Sequence, residues 1–149
     1  MRIAIGADHR GYIMKQRLAQ ILSDDGQEVM DMGTSSLDPV DYPDYARAVG
    51  RAVVDGHAER GVLVCGSGAG ASIAANKIHG IRAGLAHDCY TAHQMVEHDN
   101  ANVCCLGARV VGLELAREIV RVFVVAAFNG EDRFQRRVEK VAAIEEEGR

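Results

Sequence analysis

Gly-Val-Leu-Val-Cys-Gly-Ser-Gly-Ala-Gly-Ala-Ser-Ile-Ala-Ala-Asn-Lys, residues 61–77, is the stretch that decides the fold predicted for this chain. Its apolar run, Val62 to Val64, predicts a buried strand that ends at Cys65, and the small residues from Ala71 to Lys77 predict a helix. Between them glycine occupies positions 66, 68 and 70. Alternating glycines let the backbone approach a ligand with its N–H groups exposed. The loop is therefore expected to hold an anionic oxygen at the start of the helix.

Predicted strands and helices alternate on both sides of this stretch. The apolar patterns predict strands over 2–7, 27–30, 62–64, 81–86 and 103–106, and helices over 10–24, 42–55, 71–77, 89–98, 113–128 and 134–147. This alternation predicts a three-layer, Rossmann-like α/β fold, an open parallel sheet of five strands with helices on both faces. Ligands of such sheets bind at the carboxyl ends of the strands.

The last predicted helix has no strand of its own before it. Its apolar residues form only a narrow stripe, Val138, Val141 and Ile144. A terminal helix of this kind is expected to pack on a second copy of the chain or on the edge of its own domain, and we predict the former, a C-terminal dimerisation helix in a homodimer.

The composition restricts the class of protein. A length of 149 residues predicts one domain over 1–149, and a net charge of −4 does not favour nucleic-acid binding. No apolar run is long enough to cross a membrane, and the N-terminus lacks the pattern of a secretory signal, so a cytoplasmic protein is expected. The four cysteines form no C-x-x-C pair, which indicates free thiols in a reducing compartment.

Two of the chemistries considered for the glycine loop are disfavoured by the sequence. Residues 66–71 fit the dinucleotide pattern G-x-G-x-x-A, and Asp88 follows at about the distance of a ribose-binding carboxylate. That fingerprint, however, usually opens the first strand–helix unit, and here it follows the third. A cysteine phosphatase needs an arginine at the end of its loop, where this chain has Ala71 and Ser72.

Two further chemistries use Cys65, and the residues alone leave both open. Acyl transfer needs a nucleophilic cysteine paired with a histidine, for which His98 is a candidate. Proton transfer next to a carbonyl needs a base, donors for an enediolate oxygen and an acid; Cys65, the loop amides with Ser67, and His98 would supply these. Equally, Cys65 can be a buried thiol at a strand end and the glycines a tight turn.

Several separated motifs occur in one order along nearly the whole chain, and in that order they resemble type B ribose-5-phosphate isomerases, a family that galactose-6-phosphate isomerase subunits share. The motifs are Gly6-Ala7-Asp8-His9, Asp41-Tyr42-Pro43, the Cys65–Gly70 loop, Ala74-Ala75-Asn76-Lys77, the run His98 to Asn102, the run Gly107 to Gly112, and the tail around Arg133 and Arg137.

The resemblance implies an aldose–ketose isomerase that uses no metal and no nucleotide cofactor. By position, Cys65 corresponds to the base that moves a proton between C1 and C2, and His98 to a residue that helps open the sugar ring. Ser67 corresponds to the hydroxyl beside the enediolate, within a substrate-binding loop of Gly66, Ser67, Gly68, Ala69 and Gly70. Some members use a glutamate where this chain has Ala71, so it resembles the cysteine-using branch.

The resemblance also implies the groups that hold the sugar phosphate. Asp8 and His9 correspond to sugar or phosphate contacts, and Tyr42 would form a wall of the sugar pocket. Arg109, Arg133 and Arg137 correspond to phosphate-binding arginines, the last two reaching the partner subunit in a homodimer or a dimer of dimers. On spacing alone, Arg133 and Arg137 would be a solvated helix face. Where many members carry asparagine, this chain has Asp99, which predicts a shift towards another sugar phosphate or a role in orienting His98.

Overall fold

The structure is a computed structural model that describes residues 1–148. Its strands are β1 (Arg2–Ala7), β2 (Glu28–Asp31), β3 (Arg60–Cys65), β4 (Ala83–Leu85) and β5 (Val103–Gly107). Its helices are α1 (Tyr12–Asp24), α2 (Tyr42–Val54), α3 (Ala69–Ala75), α4 (Cys89–Glu97), α5 (Leu113–Val125) and α6 (Asp132–Glu147). No helix within these residues is long and apolar enough to cross a membrane.

The five strands form one parallel sheet in the order β2-β1-β3-β5-β4. One apolar cluster packs α1, α4 and α5 against one face of the sheet, and a second packs α2 and α3 against the other. The predicted three-layer, Rossmann-like architecture is confirmed. Because all five strands are parallel, the loops after them lie at the same edge of the sheet, and those after the adjacent strands β1, β3 and β5 are neighbours there.

Strand β4 is shorter than the sequence predicts, covering three residues of the predicted six. It lies at the edge of the sheet, where its outer peptide groups have no neighbouring strand. The side chain of Asn76 takes the place of that strand: its Oδ1 accepts from the Ala83 N–H at 2.8 Å and its Nδ2 donates to the Ala83 carbonyl at 2.9 Å. An amide side chain thus covers an edge that would otherwise be free to pair with another chain.

Helix α5 ends at Val125, three residues before the predicted end, and Arg60 accounts for this boundary. Its guanidinium donates to the carbonyl oxygens of Phe123, Val124 (3.1 Å) and Ala126 (2.6 Å), and it lies 5.3 Å from the centroid of the Phe123 ring. These carbonyls have no partner inside the helix. Partial burial lowers the pKa of Arg60, since water no longer solvates the charge fully.

Replacing this guanidinium is expected to destabilise the fold. Arg60→Met keeps the stem but leaves the helix-end carbonyls without their donor, so the free energy of unfolding should fall by about 2 kcal/mol. Urea denaturation followed by circular dichroism measures it. Arg117→Gln is the matched control, because it breaks only exposed pairs with Glu114 and Glu118 and should cost less than about 1 kcal/mol. Equal losses in the two variants would contradict the capping role.

Helix α6 forms as predicted but packs little of its surface on its own chain. Phe134 is its one buried residue among those described. Of the predicted apolar stripe, Val138 is half-buried, while 54% of Val141 and 67% of Ile144 remain exposed. The stripe therefore lacks a partner within residues 1–148.

Candidate active site

The carboxyl ends of β1, β3 and β5 bring together the first group of predicted site residues. Asp8 and His9 follow β1, Cys65 ends β3, and Arg109 follows β5. The register pairs Cys65 with Gly107, and the Arg109 N–H donates to the Gly66 carbonyl at 3.0 Å. We call the set Asp8, His9, Tyr42, Cys65, the glycine loop (residues 66–70) and Arg109 the carboxyl-edge group.

The sulfur of Cys65 is held by the loop that follows it. The side chain is only 4% exposed, and its Sγ accepts the Gly68 N–H at 3.1 Å. Such a donor stabilises negative charge on sulfur. It also means that this amide is engaged by Cys65, whereas the sequence predicts that the whole loop binds a substrate oxygen. The N–H groups of Gly66, Ser67 and Gly70 have no partner within residues 1–148 and are available to a ligand.

Tight packing explains why the loop needs its glycines. Gly68 has φ +80°, and a Cβ there would lie 2.5 Å from Cδ1 of Leu85. A Cβ on Gly70 would lie 2.7 Å from Cζ of Tyr42, whose ring therefore covers the loop. The hydroxyl of Ser67 accepts the Ala69 N–H at 3.3 Å, which leaves its own proton free to be donated.

Asp8 and His9 are both fixed by backbone contacts. Asp8 is buried, and its Oδ1 accepts the N–H groups of Arg10 (2.9 Å) and Gly11 (3.0 Å), which shapes the turn into α1. The Nδ1 atom of His9 accepts the Val40 N–H at 3.2 Å, so the neutral ring carries its proton on Nε2. His9 thus ties the loop after β1 to the loop before α2 and retains one donor.

Two side chains join this edge without being among the predicted site residues. A Cβ on Gly66 would lie 3.1 Å from Cδ of Arg10, which therefore passes directly over the glycine loop. The Nε2 atom of His87 accepts the Gly107 N–H at 3.0 Å, beside the loop. The sequence signal for both was position: Arg10 directly follows Asp8-His9, and His87 lies in the loop after the fourth strand. Arg10 adds positive charge to the edge.

The structure removes support from the dinucleotide alternative. Asp88 caps α4: its Oδ1 accepts the Thr91 N–H and its Oδ2 the Thr91 hydroxyl, each at 2.7 Å. These hydrogen bonds lower the pKa of the Asp88 carboxyl, with the Thr91 N–H as the largest cause. A carboxylate used as a helix cap is not placed to bind a ribose.

The neighbouring strand carries two thiols of a different kind. Cys104 and Cys105 are fully buried in β5, and burial raises the pKa of Cys104 to about 12 and that of Cys105 well above its usual value. Both thiols stay protonated at neutral pH. Cys65 differs from them in lying at the end of its strand with an amide donor on its sulfur.

The remaining predicted residues lie at the opposite edge of the sheet. His98 is the C-cap of α4, and its ring stacks on Phe134 with centroids 4.2 Å apart. Arg133 and Arg137 lie 4.5 Å and 5.8 Å from the centre of the same Phe134 ring. We call His98, Asp99, Arg133 and Arg137 the amino-edge group, because the run after His98 leads into the amino end of β5.

The two groups are separated by the height of the sheet. Helix α4 runs from the carboxyl end of β4 to His98, and its nine residues span about 13 Å. A five-residue strand such as β5 spans about 16 Å. Within one chain, His98 therefore does not approach Cys65, and the structure does not bring the predicted catalytic residues together in a single protomer.

A groove of about 500 Å³ begins at the amino-edge group. Asp99 and Arg137 line one part of it, and the apolar side chains Met95, Val138, Val141 and Ile144 line the rest. The groove lies between α6 and the edge strand β4. Helix α3 exposes 63% of Ile73, three residues after the end of the glycine loop. The chain thus presents an apolar groove beside one group of site residues and an apolar projection beside the other.

Comparison with known proteins identifies relatives over the whole chain. Ribose-5-phosphate isomerase B of Escherichia coli (strain K12) is 46% identical over 145 residues, covering 97% of each chain. D-erythrulose-4-phosphate isomerase 2 of Mycolicibacterium smegmatis is 40% identical over 148 residues, again covering 97% of each chain.

Solved structures agree with the fold. Ribose-5-phosphate isomerase B of Clostridium thermocellum superposes with a TM-score of 0.98 at 46% identity, over 100% of both chains. The Mycoplasma genitalium enzyme, solved with bound ribulose-5-phosphate, gives a TM-score of 0.92 at 38% identity, over 98% of this chain and 97% of that one. The model of the family described as Ribose/Galactose Isomerase matches residues 3–141. The chain therefore belongs to the Ribose/Galactose Isomerase family.

Proposed function

We propose that this protein is a cytoplasmic aldose–ketose isomerase that interconverts ribose 5-phosphate and ribulose 5-phosphate. The observation that carries the proposal is the carboxyl-edge group: a cysteine sulfur beside a glycine loop with three unpartnered amides and a free hydroxyl proton. The relatives named ribose-5-phosphate isomerase support this choice of substrate.

The proposed reaction moves one proton between adjacent carbons. The Cys65 thiolate removes the C2 proton of the open-chain aldose, and the electron pair moves to the carbonyl oxygen to give a cis-enediolate. The Ser67 and Gly70 amides and the Ser67 hydroxyl stabilise the negative oxygen where it develops. The same thiol then returns the proton to C1, while a proton passes between the two oxygens, giving the ketose. No other reactant is consumed.

The amino-edge group completes the site only if a second chain supplies it. We propose a homodimer in which the groove beside α6 receives α3 of the partner, with Ile73 as its apolar projection. This arrangement places His98 of the partner subunit near the sugar ring, where it acts in ring opening. Arg109 holds the phosphate from one chain, and Arg133 and Arg137 of the partner subunit hold it from the other. Gel filtration at micromolar concentration should give a dimer or a dimer of dimers.

A direct assay tests the activity. Purified protein is incubated with ribose 5-phosphate, and ribulose 5-phosphate is measured by a coupled enzyme, with erythrose 4-phosphate and galactose 6-phosphate as parallel substrates. Turnover of ribose 5-phosphate with the highest kcat/KM supports the proposal. Saturable binding of all three compounds without turnover would instead show a sugar-phosphate sensor.

Replacing one of the arginines proposed to bind the phosphate should raise KM more than it lowers kcat. Arg137 lines the groove with its guanidinium near Phe134, and in the proposed dimer it holds the phosphate and does not contact the reacting carbons. In Arg137→Ala we expect KM to rise at least about tenfold while kcat falls less than about threefold. Arg136→Ala, on the same helix but not part of the groove, should leave both constants unchanged. An unchanged KM in Arg137→Ala would mean that Arg137 is a solvent-exposed helix residue that does not bind the phosphate.

A second candidate substrate is a four-carbon sugar phosphate, and Asp99 is the observation that favours it. Asp99 lines the groove with Arg137, and a related enzyme is named D-erythrulose-4-phosphate isomerase. A carboxylate accepts hydrogen bonds from sugar hydroxyls but repels an enediolate, so its position relative to the sugar matters.

Asp99→Asn tests this role. Removing the charge should raise kcat/KM for ribose 5-phosphate relative to D-erythrulose 4-phosphate by about tenfold. Both substrates are assayed with wild type and variant under the same conditions. Asp132→Asn, an exposed carboxylate in the first turn of α6, is the control for a general change in surface charge. An unaltered ratio in Asp99→Asn would mean that Asp99 does not select the substrate.

A further inference from the structure

A second cavity lies outside both groups of site residues. It has a volume of about 490 Å³ and is formed by one side of α2 and the turn that follows α3. It shares no lining residue with the carboxyl-edge group or the amino-edge group. Its size falls within the range of sites that bind small molecules.

The walls of this cavity carry an excess of positive charge. Arg47 and Arg51 are four residues apart on α2 and so lie on one face of the helix, and Lys77 faces them from the turn after α3. Within residues 1–148 none of these three side chains forms an ion pair or a hydrogen bond.

Carboxylates that could neutralise these cations are nearby in sequence but are not used. Asp44 precedes Arg47 by three residues and Asp55 follows Arg51 by four, both spacings that permit helical ion pairs, yet neither pair forms. At the border of the cavity, His79 is already engaged by Glu146 (2.5 Å) and Glu145 (3.6 Å). Glu146 is thus engaged by His79, and Glu145 by His79 and by the Gly80 N–H.

The floor of the cavity is apolar and closely packed. Ile78 lies against α2, where a Cβ on Gly50 would come within 2.4 Å of its Cδ1. The contact fixes the distance between α2 and the end of α3, and with it the spacing of the cationic side chains. Repulsion between Arg47 and Arg51 disfavours this arrangement in the absence of a ligand.

We propose that this cavity is a binding site for a multiply charged phosphate compound, such as a diphosphate or bisphosphate. Two guanidinium forks bind phosphate oxygens in pairs, and the ammonium of Lys77 binds from the opposite wall. A bound ligand would bridge α2 and the end of α3. The first turn of α2 carries Tyr42, and α3 begins within the glycine loop.

Calorimetry with inorganic pyrophosphate tests the site. Full-length protein is titrated at constant ionic strength in the Arg109→Gln background, so that the proposed sugar-phosphate site is already weakened. We expect one pyrophosphate per chain. Adding Lys77→Gln or Arg51→Gln should each reduce the affinity at least about tenfold. Adding Arg17→Gln, an exposed arginine of α1 on the opposite face of the sheet, should change nothing. Circular dichroism confirms that each variant is folded.

Three results would overturn the inference. The first is that pyrophosphate gives no saturable heat with either wild type or Arg109→Gln. Binding could be lost in Arg109→Gln alone, which would place the anion in the sugar-phosphate site. The affinity could also be the same with and without Lys77→Gln and Arg51→Gln. Because the cavity shares no residue with the proposed active site, turnover of ribose 5-phosphate and binding of pyrophosphate succeed or fail independently.

Discussion

Cys65→Ala is expected to lower kcat for ribose 5-phosphate by roughly 10²–10⁴-fold, the contribution typical of a general base. In the proposed reaction, the sulfur takes the carbon-bound proton and returns it to the neighbouring carbon. The substitution removes one atom at a position that is 4% exposed, so the fold should persist. Binding of the sugar phosphate should remain measurable by calorimetry, because the amides, Ser67 and the arginines are still present.

The matched control for this experiment is Cys89→Ala. Cys89 is a half-buried free thiol in the first turn of α4 and takes no part in the proposed reaction. It should keep full activity, which excludes a general effect of losing a thiol. If Cys65→Ala kept most of its turnover while folding normally, another group would have to be the base, and the proposed role of Cys65 would be wrong.

The fold could be predicted from the sequence because its strongest signals are local. The apolar runs before Asp8 and Cys65 are bounded by glycine, and the intervening segments have helical periodicity, which together specify a parallel sheet. The errors lie where a side chain outside the helix or strand bonds to its backbone. Arg60 ends α5 through carbonyls more than sixty residues away, and Asn76 takes the place of a neighbouring strand beside β4. No local pattern contains those contacts.

The sequence predicts which residues meet at the carboxyl edge of the sheet, but not the contacts that they make there. Strand order places the loops after β1, β3 and β5 at one edge, so Asp8, Cys65 and Arg109 could be expected to meet. The sequence does not reveal that the Gly68 amide is taken by the sulfur, since this depends on the turn conformation. Nor does it show that Arg10 covers the loop, because the residue reads as the start of a helix.

The position of His98 is the point at which the sequence-based prediction and the structure differ most. As a residue type, histidine suits both the acyl-transfer and the proton-transfer chemistry considered for Cys65. As the C-cap of α4 it lies at the far edge of the sheet, beside Phe134. A site that uses both residues must therefore combine two chains, and that requirement can be tested without a structure of the dimer.

Mixing two inactive variants is expected to restore activity. Cys65→Ala lacks a residue of the carboxyl-edge group, and the double variant His98→Ala/Arg137→Ala lacks two of the amino-edge group. In a mixed dimer, one site combines the intact carboxyl edge of the double variant with the intact amino edge of the Cys65→Ala chain. Random pairing after joint unfolding and refolding should give about a quarter of the wild-type activity, since half of the dimers are mixed and each has one complete site.

The same mixture also distinguishes a shared site from its alternatives. Each variant refolded alone must remain inactive, and two separately refolded dimers combined without exchange should show no gain. If every site were contained in a single chain, mixing would restore nothing, because each chain would still carry its own lesion. A third arm adds Ile73→Asp to both variants: a charge at this projection should prevent α3 from entering the partner's apolar groove and abolish the recovery. Recovery that survives Ile73→Asp would keep the shared site but contradict the proposed docking of α3 beside α6.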